Sequence, residues 1–128
     1  MANKNKAEEH YKLQDYLQSI KYAKRWLLES KDAGDRKEER AACKIIAWSY
    51  YYLRNYRKSI AYGEKERRIA VEEGDNAAES EAYEVLSKSH REANKSSRGG
   101  LDGSASDSTD EDDDTASAGM DQNSSLGK

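Results

Sequence analysis

Apolar side chains recur at every third or fourth position along most of the first 95 residues, which is the spacing of a helix that buries one face. Ala42, Ile46, Tyr50 and Leu53 form the clearest of these stripes. The other stripes consist of Leu17, Ile20, Ala23 and Leu27, of Tyr56, Ile60, Gly63 and Ala70, and of Ala82, Leu86 and Ala93. The chain contains no proline, which would interrupt a helix. The pattern predicts an all-α fold of amphipathic helices.

Glycines and polar caps mark where these helices end and begin. Gly34 and Gly74 fit the left-handed residue that closes a helix. The predicted N-caps are Asp15, Asp35, Asn55 and Asp75. Glu38, three residues after Asp35, matches a capping box. The predicted helices span about 5–14, 16–33, 36–53, 56–73 and 76–94.

The sequence repeats with a period of 40 residues, because 51–90 carries the same residue as 11–50 at 11 positions. The identical pairs are Tyr11/Tyr51, Leu13/Leu53, Tyr16/Tyr56, Ser19/Ser59, Ile20/Ile60, Tyr22/Tyr62, Gly34/Gly74, Asp35/Asp75, Glu39/Glu79, Ala42/Ala82 and Ser49/Ser89. A fixed period of this length is typical of stacked helical repeats, which present surfaces rather than active sites. Short loops between the helices favour antiparallel neighbours. We therefore expect a solenoid of helix pairs with about two and a half repeats.

The segment 35–74 resembles a tetratricopeptide repeat, and specifically the 40-residue type of the Partner of Inscuteable and G-protein signalling modulator family. The residues that carry the resemblance are Gly34, Asp35, Glu39, Arg40, Ala42, Ile46, Ala47, Tyr50, Leu53, Asn55, Tyr56, Lys58, Ile60, Tyr62, Ile69, Ala70, Glu72 and Gly74. The similarity extends over about residues 5–94. It implies a right-handed array of helix pairs whose concave groove holds a peptide segment of a partner protein, as in an adaptor or scaffold.

The resemblance places this groove on the first helix of each repeat, where the family carries asparagines. Here those places hold Ile45 and Trp48, and Val85 and Lys88 in the next repeat. The predicted groove residues are Lys44, Ile45, Trp48, Tyr51, Tyr52 and Lys88. Tryptophan and tyrosine are frequent hot spots of protein interfaces. The alternative interpretation is that the third helix is surrounded on most sides, so that its aromatic residues serve packing alone.

Charge divides the chain into a helical domain, 1–95, with a net charge of +3 and a tail, 96–128, with a net charge of −6. The tail is rich in Ser, Gly and Asp and is expected to be disordered. Within it, Ser108 and Thr109 precede acidic residues at the spacing that acidophilic kinases prefer. One hypothesis is that the tail folds back on the basic residues of the fourth helix, which otherwise form a solvated face. These are Arg54, Arg57, Lys58, Lys65, Arg67 and Arg68.

Several functional classes lack support in the sequence. The single Cys43 is expected in the core, and His10 and His90 are expected to be buried or half-buried rather than metal ligands. No phosphate-binding loop or catalytic motif is present, so we expect no enzyme activity and no cofactor. The small positive charge of 1–95 argues against nucleic-acid binding. Without a signal peptide or an apolar run long enough for a membrane span, a cytoplasmic location is expected.

Two alternatives to peptide binding remain. The chain is also compatible with self-association, in which the uncovered faces of the first and last helices, including Leu86, dock on a second copy. An acidic-tailed chaperone of basic proteins is the other alternative, and it depends on 96–128 alone.

Overall fold

The computed structural model describes residues 2–98, and every regular element in that range is an α-helix. The helices are α1 (Ala2–Lys12), α2 (Tyr16–Ala33), α3 (Arg36–Tyr52), α4 (Tyr56–Glu73) and α5 (Asn76–Arg98). The prediction of an all-α fold with five helices is therefore confirmed, and no strand occurs between residues 2 and 98. The bounds of α2, α3 and α4 agree with the prediction to within one residue, whereas α1 begins earlier and α5 ends later.

Two glycines close α2 and α4 in the left-handed conformation predicted for them. Gly34 has a φ of 70° and Gly74 a φ of 71°. The N–H of Gly34 donates to the carbonyl of Lys31 at 3.1 Å, and that of Gly74 to the carbonyl of Val71 at 3.0 Å. These bonds use carbonyls that a helix end would otherwise leave unsatisfied, and the next helix begins two residues later.

The four predicted N-caps all accept a hydrogen bond from the backbone N–H three residues further on. The pairs are Asp15 with Gln18, Asp35 with Glu38, Asn55 with Lys58, and Asp75 with Ala78. The predicted capping box is only half formed, because the side chain of Glu38 does not return to Asp35. Its Oε1 instead accepts a hydrogen bond from Nε1 of Trp26 at 3.0 Å. A tertiary contact thus replaces the local one.

The 40-residue period is visible in local geometry. Gln14 and Arg54, which are 40 positions apart, both have a left-handed backbone, with φ values of 62° and 67°. Such values are uncommon for residues other than glycine. Two aromatic pairs also repeat: His10 stacks on Tyr22 at 5.6 Å and Tyr50 stacks on Tyr62 at 6.0 Å between ring centroids. The same turns and ring contacts therefore form in both copies.

Consecutive helices run antiparallel. Asn3, near the start of α1, donates from Nδ2 to Oε2 of Glu29, near the end of α2, at 2.8 Å. Arg36 at the start of α3 pairs with Glu72 at the end of α4. Turns of two or three residues join these helices and leave the chain little choice of direction.

The middle helix, α3, also contacts both α1 and α5. Lys4 of α1 lies 3.3 Å from the carboxylate of Glu38, and Lys44 of α3 lies 3.2 Å from that of Glu81 on α5. The three odd-numbered helices are therefore neighbours in the order α1, α3, α5, while α2 packs on α1 and α3.

The core contains mainly small and medium side chains. Its fully buried members include Ala7, Ala23, Trp26, Ala42, Cys43, Ile46, Ala47, Tyr62, Ala70, Ala82 and Val85. Trp26, the largest, was absent from the predicted stripe. The assignment of Leu17 to the core was wrong, because it is 69% exposed. Leu17 lies about 120° around α2 from the centre of the buried face, which is directed at both α1 and α3. Leu53, at the end of α3, is also exposed.

Buried serines allow the helices to approach closely. The hydroxyl of Ser19 donates to the carbonyl of Ala7 across α1 and α2 at 2.8 Å. The hydroxyls of Ser59 on α4 and Ser89 on α5 lie 2.6 Å apart. Because each of these three hydroxyls has a partner, its burial costs little, and the small side chain leaves room for the neighbouring backbone.

Two charged side chains of α4 are buried, against expectation. Lys58 was predicted on a solvated basic face, but it is 1% exposed and its Nζ lies 5.7 Å from the ring centroid of Tyr50. Glu66 is equally buried, and its Oε1 has no hydrogen-bond partner among residues 2–98. His90 was also misplaced, since it is exposed, whereas His10 is half-buried as expected.

The chain divides into two units, Met1–Asn94 and Lys95–Lys128. The first unit contains α1–α4 and most of α5. Of the second unit, the structure describes only the end of α5. The predicted kinase sites at Ser108 and Thr109, and the acidic run around them, lie outside the described residues.

Candidate functional site at the end of α3

Six aromatic rings meet around the last turn of α3. These rings, which we call the aromatic cluster, are Tyr11, Tyr16, Trp48, Tyr51, Tyr52 and Tyr56. Tyr52 joins the two repeats, because it stacks on Tyr16 at 5.1 Å and on Trp48 at 6.0 Å between centroids. The cluster therefore extends from α1 across α2 and α3 to the start of α4.

Local geometry explains the part of the cluster on α3. Trp48, Tyr51 and Tyr52 are spaced by three and four residues and so lie on one side of the helix. Trp48 meets Tyr51 edge-on at 5.4 Å. Tyr51 then contacts Tyr56 across the turn at 5.7 Å. Edge-on and offset arrangements are those that aromatic quadrupoles favour.

Tyr52 presents the most open ring of the cluster, and it is 50% exposed. Trp48 and Tyr51 are half-buried and pack against the core. Leu13 and Leu53, which are adjacent in the chain to the two turns that carry the cluster, are exposed as well. The cluster thus has an inner side that packs and an outer side that presents apolar surface to solvent.

Two tyrosine hydroxyls of the cluster, those of Tyr11 and Tyr16, are held in their neutral form. Burial first, and the nearby phenols of Tyr52 and Tyr16 second, raise the pKa of Tyr11 to about 12. The pKa of Tyr16 is also raised, by burial first and by Tyr52 second. Near neutral pH these groups can donate hydrogen bonds and offer ring faces, but they supply neither a base nor an anionic nucleophile.

The other predicted groove residues have different positions. Ile45 is half-buried and packs against the core. Lys44 is paired with Glu81 of α5, so its charge is partly compensated. Lys88 is exposed, and no hydrogen bond, ion pair or ring contact within residues 2–98 joins it to the cluster. The structure therefore brings Trp48, Tyr51 and Tyr52 together, with Lys44 on the same helix and Lys88 apart.

Three members of the cluster were not predicted from the sequence, namely Tyr11, Tyr16 and Tyr56. A signal for them was present, because Tyr11/Tyr51 and Tyr16/Tyr56 are among the pairs that the two repeats share. The contact between Tyr11 and Tyr16, at 5.6 Å, repeats the contact between Tyr51 and Tyr56.

The surface of α5 does not offer the apolar face expected for self-association. Leu86 was predicted to lie on it, but it is buried and packs against Gly63 of α4. Among the described side chains of α5, Tyr83 is the one large apolar side chain that is exposed. The guanidinium of Arg67 lies 5.1 Å from its ring centroid.

Reactive groups are scarce in the described part of the chain. Burial raises the pKa of the Cys43 thiol to about 12, so the thiolate that would act as a nucleophile is disfavoured. No group of three or more His, Cys, Asp or Glu side chains within residues 2–98 is arranged to hold a metal ion.

None of the helices between residues 2 and 98 combines the length and the apolar character that a membrane span requires.

The arrangement is suited to noncovalent contact with an apolar or aromatic segment. Comparison of the chain with models of protein families, with curated proteins and with solved structures gives no match.

Proposed function

We propose that this chain is a protein-interaction module, an adaptor or scaffold, that binds a peptide segment of a partner protein against the aromatic cluster. The observation that carries the proposal is the half-exposed ring of Tyr52, which is held in place by stacking on Tyr16 and Trp48. Because its neighbours already fix the ring, little side-chain entropy is lost when a ligand packs on it. Rigid tyrosine and tryptophan side chains are typical anchors of protein interfaces.

The neighbour relations of the helices support the groove as the binding site. In an array of helix pairs, the first helix of each pair lines one face, and here α1, α3 and α5 are neighbours. A tetratricopeptide-type solenoid with about two and a half repeats is part of this proposal. The expected absence of enzyme activity and the cytoplasmic location stay predictions.

The test begins with selection of binding peptides from a displayed library, followed by calorimetric measurement of the affinity of one selected peptide. Tyr52→Ser should weaken binding by roughly thirtyfold, the effect of losing a hot spot of about 2 kcal/mol. Tyr83→Ser is the matched control, because Tyr83 is 46% exposed but lies on α5 outside the cluster. We expect the control to bind like the unchanged chain.

Thermal unfolding of both variants shows whether the fold is retained. Trp48→Ala is a less clean probe, because Trp48 also packs against the core and its truncation lowers stability. If Tyr52→Ser and Tyr83→Ser bind equally well, or if both lose binding to the same extent, the cluster is not the binding site.

The two alternative functions receive less support. Self-association through α5 loses its main anchor, because Leu86 is buried. The chaperone alternative depends on the acidic segment, which lies outside the described residues.

A further inference from the structure

A second surface gathers positive charge around one ring, Tyr22 of α2. Lys6 of α1 lies 5.2 Å from its centroid, and Lys21 and Arg25 of α2 each lie 5.4 Å from it. His10 also stacks on this ring, with 5.6 Å between the ring centroids. Within residues 2–98, none of the three has a carboxylate at ion-pair distance. No ion pair within residues 2–98 therefore offsets their mutual repulsion.

The fold does not require two of these cations, Lys6 and Lys21. Forty residues further on, the positions of Lys6 and Lys21 are occupied by Ile46 and Ala61. Other cations are paired: Nε of Arg40 on α3 donates to Oε1 of Glu73 on α4 at 2.9 Å. Lys6 and Lys21 are thus additions to the repeat, whereas the contact of Arg25 with Tyr22 recurs in the second copy, where Lys65 lies 4.7 Å from the ring centroid of Tyr62.

Exposed leucines accompany the cations on the same face of α2. Leu17 and Leu28 are 69% and 43% exposed, and they lie within about 40° of Lys21 around the helix. They are three turns apart, which corresponds to about 16 Å along the axis. Lys24 occupies the same strip, whose one acidic member is Asp32 at the end of α2. Along the axis of α2, the strip therefore has an apolar residue, Leu17, at one end, basic residues in the middle, and the apolar Leu28 towards the other end.

We propose that the exposed face of α2, together with Lys6, binds an acidic amphipathic helix of a partner protein. Glutamates or aspartates of that helix would face Lys6, Lys21 and Arg25, and apolar residues three turns apart would cover Leu17 and Leu28. Opposite charge at the centre supplies the attraction, and the leucines supply apolar area at both ends. None of these side chains belongs to the aromatic cluster, although Leu17 directly follows Tyr16 in the chain, and the proposal does not depend on the peptide site.

The interleaving of charge and leucine favours a helix over a lipid surface. Helices that lie on membranes have a continuous apolar face flanked by cations. On α2, Lys21 and Lys24 lie between the leucines, so that insertion of the leucines into the acyl layer would draw the cations in as well.

The test measures binding of the full chain to a labelled synthetic helix that has two leucines three turns apart and glutamates between them. Fluorescence anisotropy should detect binding that weakens at high salt. The variant Lys6→Glu/Lys21→Glu/Arg25→Glu should bind about tenfold more weakly or worse, the sum of several exposed charge pairs. Leu17→Ser/Leu28→Ser should also weaken binding, and it tests the apolar contribution without any change in charge.

The matched control is Lys37→Glu/Arg68→Glu/Arg91→Glu, which alters net charge equally through exposed cations elsewhere. It should bind like the unchanged chain. Equal loss in both triple variants, or equal binding of a probe with glutamine at every glutamate, would overturn the proposal. Stronger binding to vesicles of phosphatidylcholine with about one third phosphatidylserine would indicate a lipid surface instead. Binding only after neutralisation of 110–114 would mean that the chain's own acidic run is the occupant.

Discussion

Replacement of Glu66 by glutamine tests whether a buried carboxyl destabilises this fold near neutral pH. Glu66 stands where the first repeat has Trp26, the largest side chain of the core. It is 1% exposed, and its Oε1 has no hydrogen-bond partner among residues 2–98. Glutamine has nearly the same shape as glutamate but carries no charge, so the substitution removes the charge and leaves the packing in place.

The magnitude follows from the pKa. Burial raises the pKa of Glu66 from 4.5 to about 7. Glu81 of α5 raises it as well, while Lys44 and Arg40 of α3 act in the opposite direction. The folded state thus holds the proton more tightly than the unfolded chain. A difference of about two and a half pKa units corresponds to about 3 kcal/mol.

The difference between the pKa of Glu66 in the folded and the unfolded chain also determines the sign of the pH dependence. Below about pH 4.5 the carboxyl is protonated in both states, and its favourable contribution is fully present. As pH rises to about 7, the unfolded chain releases the proton first, so the free energy of unfolding falls. Glu66→Gln should therefore be more stable than the unchanged chain by up to about 3 kcal/mol at about pH 8, and nearly equal to it at about pH 4.

Urea unfolding followed by far-ultraviolet circular dichroism, at these two pH values, measures the difference directly. Glu64→Gln is the matched control on the same helix, because the side chain of Glu64 is half-exposed and pairs only distantly with Arg67 at 3.9 Å. Its effect should stay within about 0.5 kcal/mol at both pH values. If Glu66→Gln fails to stabilise the chain at about pH 8, or stabilises it equally at both pH values, the reasoning about burial is refuted.

Three further substitutions or reagents probe the packing. Gly63→Ala should lower the free energy of unfolding by roughly 1–3 kcal/mol, since an added Cβ would lie 2.9 Å from Cδ2 of Leu86, and Leu86→Ala in the same chain should reduce this penalty. Gly74→Ala should cost about 1 kcal/mol in urea unfolding, because its φ of 71° strains any side chain although no atom lies in the way. Cys43 should resist iodoacetamide in the folded chain and react quickly in denaturant, as mass spectrometry would show; rapid reaction in the folded chain would contradict its burial and raised pKa.

The helix bounds were predictable because their signals are local. A left-handed Gly74 followed by Asp75 specifies the end of one helix and the start of the next within three residues, whatever packs around them. The faces of the helices were harder to predict. Leu17 was assigned to the core because it fits a helical spacing, but α2 is covered by both α1 and α3, and its buried face is centred elsewhere.

The same difficulty affected the candidate site. Trp48, Tyr51 and Tyr52 were predicted together because the resemblance places the groove on the first helix of each repeat. The contact of Tyr52 with Tyr16 depends on how α2 lies against α3, which no local pattern encodes. The burial of Lys58 could not be predicted for a related reason. A charged residue in a helical pattern is expected to face solvent, and the tertiary contacts that bury it are not visible in the sequence.

Comparison of the two repeats separates what the fold needs from what it permits. Positions that are identical in both copies, such as Tyr11 and Tyr51 or Gly34 and Gly74, make the same local contacts twice. Exposed positions that differ have no such constraint, and Tyr52, which corresponds to Lys12, belongs to this group.

The two surfaces proposed to bind partners depend on such differing positions. Lys21 corresponds to Ala61 and Leu28 to Arg68, so one copy of the repeat folds without the features of the other. Changes at Lys21 should therefore alter binding while the free energy of unfolding stays nearly constant, because the twin position shows that the fold tolerates another residue there. Tyr52→Ser should alter binding and also lower the free energy of unfolding modestly, because it removes the ring contacts with Tyr16 and Trp48. Glu66 is the contrasting case, because it differs from its counterpart Trp26 at a buried position. A buried carboxylate lowers the free energy of unfolding itself.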